Sequence, residues 1–287
     1  MKIAMTGATG FVGTYLREKF ARAGHAVAPI SRTDLGDDAE GLREILRDAA
    51  AVVNLAGAPI IKKWTRQYKE ELYSSRVETT KKVVGAMRSL GERPGALLSA
   101  SAIGIYASGE TRTHTEKDNE LASDFLGWLA RDWEQAALEA EGLGVRTVVF
   151  RFGVVLGKGG GALEAMLPPF KAGLGGTVGD GSQPFSWVHI DDLARAFEAA
   201  IQDGSFRGIY NLTAPNPVTN KELTRVLARA LGRPALLRVP TLVLKLQYGE
   251  GAQALTKGQR VLPERLIEKG FEFRFKDIDS AIRDCLK

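Results

Sequence analysis

The sequence predicts a doubly wound α/β fold: a parallel sheet with helices on both faces. Three observations carry this. In the first half, short apolar runs alternate with segments of helical period. Those runs are apolar throughout, as in strands buried on both faces of a parallel sheet. The first run also leads straight into a glycine-spaced turn, TGATGFVG, over residues 6–13.

The elements follow in order. KIAMT (2–6) is the first strand. Residues 13–23 read as a helix with Tyr15, Leu16 and Phe20 on one side. HAVAPIS (25–31), AAVVNLAG (50–57) and GALLSAS (95–101) are the next three strands, with helices around 41–48 and 69–90 between them. Residues 124–137, DFLGWLARDWEQAA, repeat apolar side chains every three to four positions, and Ser123 or Asp124 can cap that helix. VRTVVFRFG (145–153) is a further strong strand. Beyond Gly157 the chain becomes glycine-rich but keeps a helical stretch at 162–172, which reads as a loop-rich region beside a ligand. WVHI (187–190) and GIYNLT (208–213) are strand-like, and LARAFEAAI (193–201) between them is a helix. Thr219 and Glu222 form a capping box for a helix that Gly232 and Pro234 stop. The last 50 or so residues are short helical and turn segments.

Composition narrows the function. The 287 residues carry 39 Lys/Arg and 34 Asp/Glu, a net charge of +5. There is no basic run with interleaved aromatics, so no nucleic-acid partner is expected. No 18-residue apolar run and no signal-type leader occurs, so neither a membrane partner nor export is expected, and the reading is cytoplasmic. The single cysteine, Cys285, fits a reducing compartment. His25, His114 and His189 are scattered, so no metal is expected.

The glycine turn points to a dinucleotide. Gly7, Gly10 and Gly13 have the spacing that lets a chain leave a strand, approach a pyrophosphate and start a closely packed helix. That helix start offers free N–H groups and a positive dipole end to phosphate. An NAD site usually ends its second strand with an acid that takes the ribose 2′-OH. Here the strand ends in Ser31-Arg32, a hydroxyl and a guanidinium suited to the 2′-phosphate of NADP. Asp34, displaced into the loop, is the competing NAD acceptor.

With TGATGFVG stand NLAG (54–57), the strand-end serines of LSAS, RFGVVLG (151–157) and WVHIDDLARA (187–196). Together these resemble the extended short-chain dehydrogenase/reductases, the group of the nucleotide-sugar epimerases. SRVETT (75–80), VVLGKGGGAL and the tail GEGAQALTKGQRVLPERLIEKGFEF (249–273) resemble an atypical branch of putative epimerases with a small C-terminal domain of unknown function. The resemblance runs over nearly the whole chain. It implies a Rossmann core at 1–157, to which 187–213 returns. It also implies a smaller substrate-side region at 158–287, including a family-specific domain at about 238–287. Gly7, Thr9, Gly10, Phe11, Val12 and Gly13 would line the pyrophosphate. Ser31 and Arg32 would meet the adenosine phosphate, and Leu55, Ala56 and Gly57 the adenosine or ribose. Arg76 either faces the cofactor or lies on the helix surface. A homodimer is compatible with this fold.

The resemblance breaks at the chemistry. The family's serine after the fourth strand matches Ser101, with Ser99 second. Its Tyr-x-x-x-Lys pair supplies the acid/base and holds the nicotinamide ribose. Aligning Glu134 with the acid that follows this pair puts Leu126 and Ala130 in the two places, and no Tyr or Lys occurs between Asn119 and Gln135. Either the acid/base comes from elsewhere, with Tyr106 the nearest phenol, or the chain binds NADP(H) without this route. The first alternative implies hydride transfer on an unidentified small-molecule carbonyl or sugar nucleotide. The second implies a sensor or interaction protein. By the same resemblance, His189 is mostly structural.

Overall fold

The computed structural model describes residues 1–36 and 40–287. β1 (Lys2–Thr6), β2 (Ala26–Ile30), β3 (Ala51–Asn54) and β4 (Ala96–Ala102) join the strands Arg146–Phe152 and Gly208–Leu212 in one parallel sheet. Its order is Gly208–Leu212, Arg146–Phe152, β4, β3, β1, β2. The chain turns outward from β1 to β2 and then crosses to β3 on the other side, so the topological switch lies between β1 and β3. Ligands of open α/β sheets sit in the crevice outside the strand carboxyl ends at such a switch.

The apolar runs are buried on both faces. Ile3 and Met5 pack beneath α1 (Phe11–Arg22) with Leu16, Phe20 and Phe197. Ala4 points the other way and joins Leu42, Val83, Met87 and Ala137. Those residues come from α2 (Glu40–Arg47), α4 (Thr79–Arg88) and α5 (Phe125–Leu138). Successive strand residues point to opposite faces, so a run without polar interruption is what a two-sided core requires.

Two expected elements differ. The strand at 50–57 ends at Asn54, because residues 55–60 leave the ladder for a loop held by side chains. The helix at 69–90 is α3 (Arg66–Tyr73) and α4 joined by a π-helical turn, Ser74–Glu78. One extra residue per turn is a local distortion often found at functional sites.

A second cluster forms the smaller lobe. Leu163 and Phe170 of α6 (Gly161–Lys171) meet Trp187, and Leu223 and Leu227 of α8 (Asn220–Leu231) meet Ile278 and Ile282 of the terminal helix Ile278–Cys285. Thr219 and Glu222 close the capping box of α8. The Trp-Val-His-Ile-Asp-Asp segment ties this lobe to the sheet through α7 (Ile190–Gln202). The fully buried Asp192 carboxylate accepts the amides of Arg274 and Phe275, both at 2.8 Å. Asp191 pairs with Lys19 at 2.7 Å. Burial works against its charge, yet the Lys19, Tyr15 and Arg274 contacts hold its carboxyl below the ordinary range. His189 accepts the Asp191 amide through Nδ1 at 3.1 Å and lies 3.8 Å from the Phe275 ring. Burial lowers its imidazole against the pull of Asp284. Among the described residues no helix is long and apolar enough to cross a membrane.

Replacing Asp192 with Ala leaves the Arg274 and Phe275 amides without their acceptor. We expect a loss of ~2–5 kcal/mol in urea unfolding, with faster exchange at the Arg274 and Phe275 amides. Unchanged exchange there would show that the tail is held by its apolar contacts alone.

Candidate functional site

The turn after β1 divides its glycines by task. Gly7 has φ +66°, and a Cβ there would lie 2.8 Å from the Leu55 carbonyl carbon. A Cβ on Gly13 would lie 2.1 Å from the Gly7 oxygen. The Gly13 constraint therefore comes from the turn itself, where the sequence suggests packing against the sheet. A Cβ on Gly10 meets only the Gly7 oxygen, at 3.4 Å, so its surface is open. α1 begins just beyond, with no side-chain cap and no acid in its first turn. The amides of Phe11, Val12 and Gly13 find no acceptor among the described residues. Free amides and an uncompensated positive dipole end suit an anion.

Phe11 explains part of the glycine-rich segment. A Cβ on Gly160 would lie 2.3 Å from its ring, one on Gly161 2.8 Å, and one on Gly157 2.9 Å. These glycines make room for a side chain of the phosphate turn, where the sequence suggests a ligand.

The loop after β3 is clamped from below. Thr6 Oγ1 donates to Asn54 Oδ1 at 2.7 Å and accepts the amides of Leu55 and Ala56 at 3.0 and 3.1 Å. Asn54 Nδ2 donates to Thr80 Oγ1 at 2.7 Å and to Ser99 Oγ at 3.1 Å. Ser75 Oγ accepts the Ala58 amide at 3.0 Å, and Arg76 Nη2 donates to the Ala58 carbonyl at 2.8 Å. Both groups of the Ala58 peptide are thus held by neighbours in the π-helical turn. Tyr68 and Trp64 hold the carbonyls of Pro59 and Ile60.

Arg76 does not lie on the helix surface. Its guanidinium sits beneath Gly57, where a Cβ would come within 2.9 Å, and 5.4 Å from the Trp133 ring. Burial lowers its pKa to about 10, and it forms no ion pair among the described residues. It leaves an unneutralised positive charge under the loop.

At the end of β2, Ser31 is bound to Asp34. The carboxylate accepts the Ser31 amide at 2.7 Å and its hydroxyl at 2.5 Å. Arg32 is exposed and has no side-chain partner among the described residues.

The serines of β4 diverge in use. Ser99 joins Asn54. Ser101 donates to Glu134 Oε1 at 2.6 Å. The Glu134 carboxylate is gripped by Arg151 through Nε and Nη2, both at 2.7 Å. Arg151 Nη1 also donates to the Tyr106 hydroxyl at 2.7 Å. Tyr106 is fully buried, with Asn211 Oδ1 at 2.8 Å and the Thr115 carbonyl at 3.0 Å as acceptors for its hydroxyl, and His114 stacked on its ring. Burial raises its phenol pKa, against the lowering influence of Arg151. The geometry therefore brings Ser101 and Tyr106 into one network, with Tyr106 inaccessible and the Ser101 proton already engaged. On α5, Leu126 lies against Gly104, and Ala130 is buried. The sequence reading missed Arg151, Ser75, Thr6 and Thr80. The available signal was a polar residue at or next to the carboxyl end of a strand, which Thr6 and Arg151 share with Asn54.

Glu134→Ala leaves the Arg151 guanidinium buried without its carboxylate. We expect a loss of ~3–5 kcal/mol in urea unfolding, against ~1–3 kcal/mol for Ser101→Ala. Equal losses would mean that the Arg151–Glu134 pair contributes nothing of its own.

Residues 3–213 match the model of the NAD dependent epimerase/dehydratase family, and residues 239–285 match a domain of unknown function, DUF1731. The chain is 38% identical to the chloroplastic epimerase family protein SDR39U1 homolog of Arabidopsis thaliana, covering 100% of this chain and 87% of that one. It is also 38% identical to the epimerase family protein YfhF of Bacillus subtilis, covering 100% and 98%. The crystal structure of the human epimerase family protein SDR39U1 (isoform 2), with NADPH, superposes with a TM-score of 0.91 at 32% identity, covering 99% of each chain. The chain therefore belongs to the NAD dependent epimerase/dehydratase family, in its SDR39U1-like branch with a C-terminal DUF1731 domain.

Proposed function

We propose that the chain binds NADP(H) across the carboxyl ends of β1 to β4. In this reading it is an atypical oxidoreductase or epimerase-like enzyme that lacks the tyrosine–lysine pair. The observation that carries the reading is the uncapped start of α1, beside the open face of Gly10 and above no acid. The NADPH bound by the human relative supports the choice of dinucleotide.

The chain's own residues would divide the work. The amides of Phe11, Val12 and Gly13 would hold the pyrophosphate, with Thr9 at the edge of the turn. Leu55, Ala56 and Gly57 would form the fixed wall beside the ribose, and Arg76 would add charge from beneath. Arg32 would meet the 2′-phosphate, with Ser31 once Asp34 turns away. When bound, the nicotinamide supplies or accepts a hydride, and the protein positions the carbinol or carbonyl carbon against it. Ser101 is the nearest match to the family's substrate-orienting hydroxyl. Its proton is engaged by Glu134, so what it offers a substrate is a lone pair.

A second reading is a non-catalytic protein whose partner surface responds to NADP(H). It is favoured by the buried Tyr106 and by Leu126 and Ala130 in the place of the proton-transfer pair.

By calorimetry NADPH should bind more tightly than NADH, and Arg32→Glu should weaken NADPH ~10-fold or more while sparing NADH. An unchanged ratio would remove Arg32 from the site. A screen of NADPH oxidation over carbonyl compounds and nucleotide sugars separates the two readings. Turnover supports the enzyme, and tight binding with no turnover supports the sensor.

A further inference from the structure

Helix α9 (Thr241–Tyr248), inside the domain of unknown function, buries one side chain, Leu244. Leu242 is 66% exposed, Leu246 75% and Val243 50%. The segment before it continues the pattern, with Leu236 88% exposed. Leu237, also exposed, lies in a parallel two-stranded ribbon, Gly176–Val178 with Leu237–Val239. Leu174, just before that ribbon, is a sixth exposed apolar side chain. Scattered apolar side chains need no explanation, but six on or beside one ribbon and the helix that follows it do.

The backbone that carries them is fixed. At one end the Gly179 amide donates to the Val239 carbonyl at 3.0 Å. At the other, the Trp64 amide donates to the Tyr248 carbonyl at 3.4 Å, and Lys69 pairs with Glu250. The leucines are held outward on an anchored strap.

The charge around them is predominantly positive. Between Glu222 and Glu250 the sequence holds no acid, and it holds Arg225, Arg229, Arg233, Arg238 and Lys245. Arg233, Arg238 and Lys245 are exposed, as is Lys171 at the end of α6, and none of the four forms an ion pair among the described residues. Asp180 lies close enough to Arg238 to be influenced by it and offsets part of that charge.

This combination selects the occupant. A second copy paired about a two-fold axis would set these cations against their own images, which like-charge repulsion opposes. An anionic bilayer instead offers phosphates to the cations and an acyl boundary to the leucines. We propose that the α9 face is a docking surface for anionic lipid membranes. Surface docking needs no spanning helix, so the lack of an 18-residue apolar run, which led to an expectation of no membrane partner, does not count against it.

The test is co-sedimentation of the full chain with vesicles of phosphatidylcholine alone or mixed with phosphatidylglycerol. The chain should sediment with the mixed vesicles, weakly or not at all with phosphatidylcholine, and less as salt rises. The double variant Leu242→Glu/Leu246→Glu should lose ~10-fold or more of that partition. The triple variant Arg233→Gln/Arg238→Gln/Lys245→Gln should do the same through charge. Unchanged NADPH affinity and circular dichroism would show that both variants remain folded. No sedimentation with mixed vesicles, or equal sedimentation of the variants, would overturn the proposal. So would a lipid-free dimer, seen by light scattering, that the leucine variant dissolves: the face would then belong to a second copy.

Discussion

The structure around the switch point depends on how closely Gly7 approaches Leu55. No Cβ fits between them, so the turn after β1 and the loop after β3 meet backbone to backbone. Thr6 makes that approach tolerable. Its hydroxyl takes the Leu55 and Ala56 amides, which have left the ladder and would otherwise be buried without acceptors. The Asn54, Thr80 and Ser99 bonds extend the same network to β4 and α4. With the two loops fixed against each other, the start of α1 and the loop after β3 lie side by side at the switch point. That is the preorganisation a dinucleotide site requires, because little ordering remains for the ligand to impose.

The same economy reads differently on α5. The family resemblance puts its proton-transfer pair on this helix, and the chain has Leu126 and Ala130 there. Yet α5 is not merely packing. Through Glu134 it anchors Arg151, and through Arg151 it reaches Tyr106 and the strand Arg146–Phe152. Burying an ion pair is tolerable only when its remaining bonds are satisfied, and here Ser101 and Tyr106 take them. The serine and the tyrosine that the sequence offers as catalytic candidates are therefore both partners of a buried salt bridge.

Much of this was legible in the sequence, for identifiable reasons. The strands were readable because a two-sided core demands uninterrupted apolar runs, and the turn because Gly7 has a positive φ and Gly13 meets the Gly7 oxygen within the turn itself. The α8 capping box was readable because both partners lie within one turn. Long-range demands were not legible. Nothing local says that Gly157, Gly160 and Gly161 exist to clear the Phe11 ring, that Asp192 holds amides some 80 positions onward in the chain, or that Arg76 turns beneath Gly57 through a π-helical turn. The apolar character of α9 was visible, but a core helix and an exposed one share that pattern until the neighbours are known.

The central claim is that the α1 amides hold the pyrophosphate while the loop after β3 serves as a preformed wall. Amide hydrogen exchange of the full chain, with and without NADPH, tests it most directly. NADPH should slow exchange at Phe11, Val12 and Gly13 and leave the already clamped Leu55, Ala56 and Ala58 amides almost unchanged. Protection confined to other segments, with Phe11 to Gly13 exchanging as in the free chain, would contradict it.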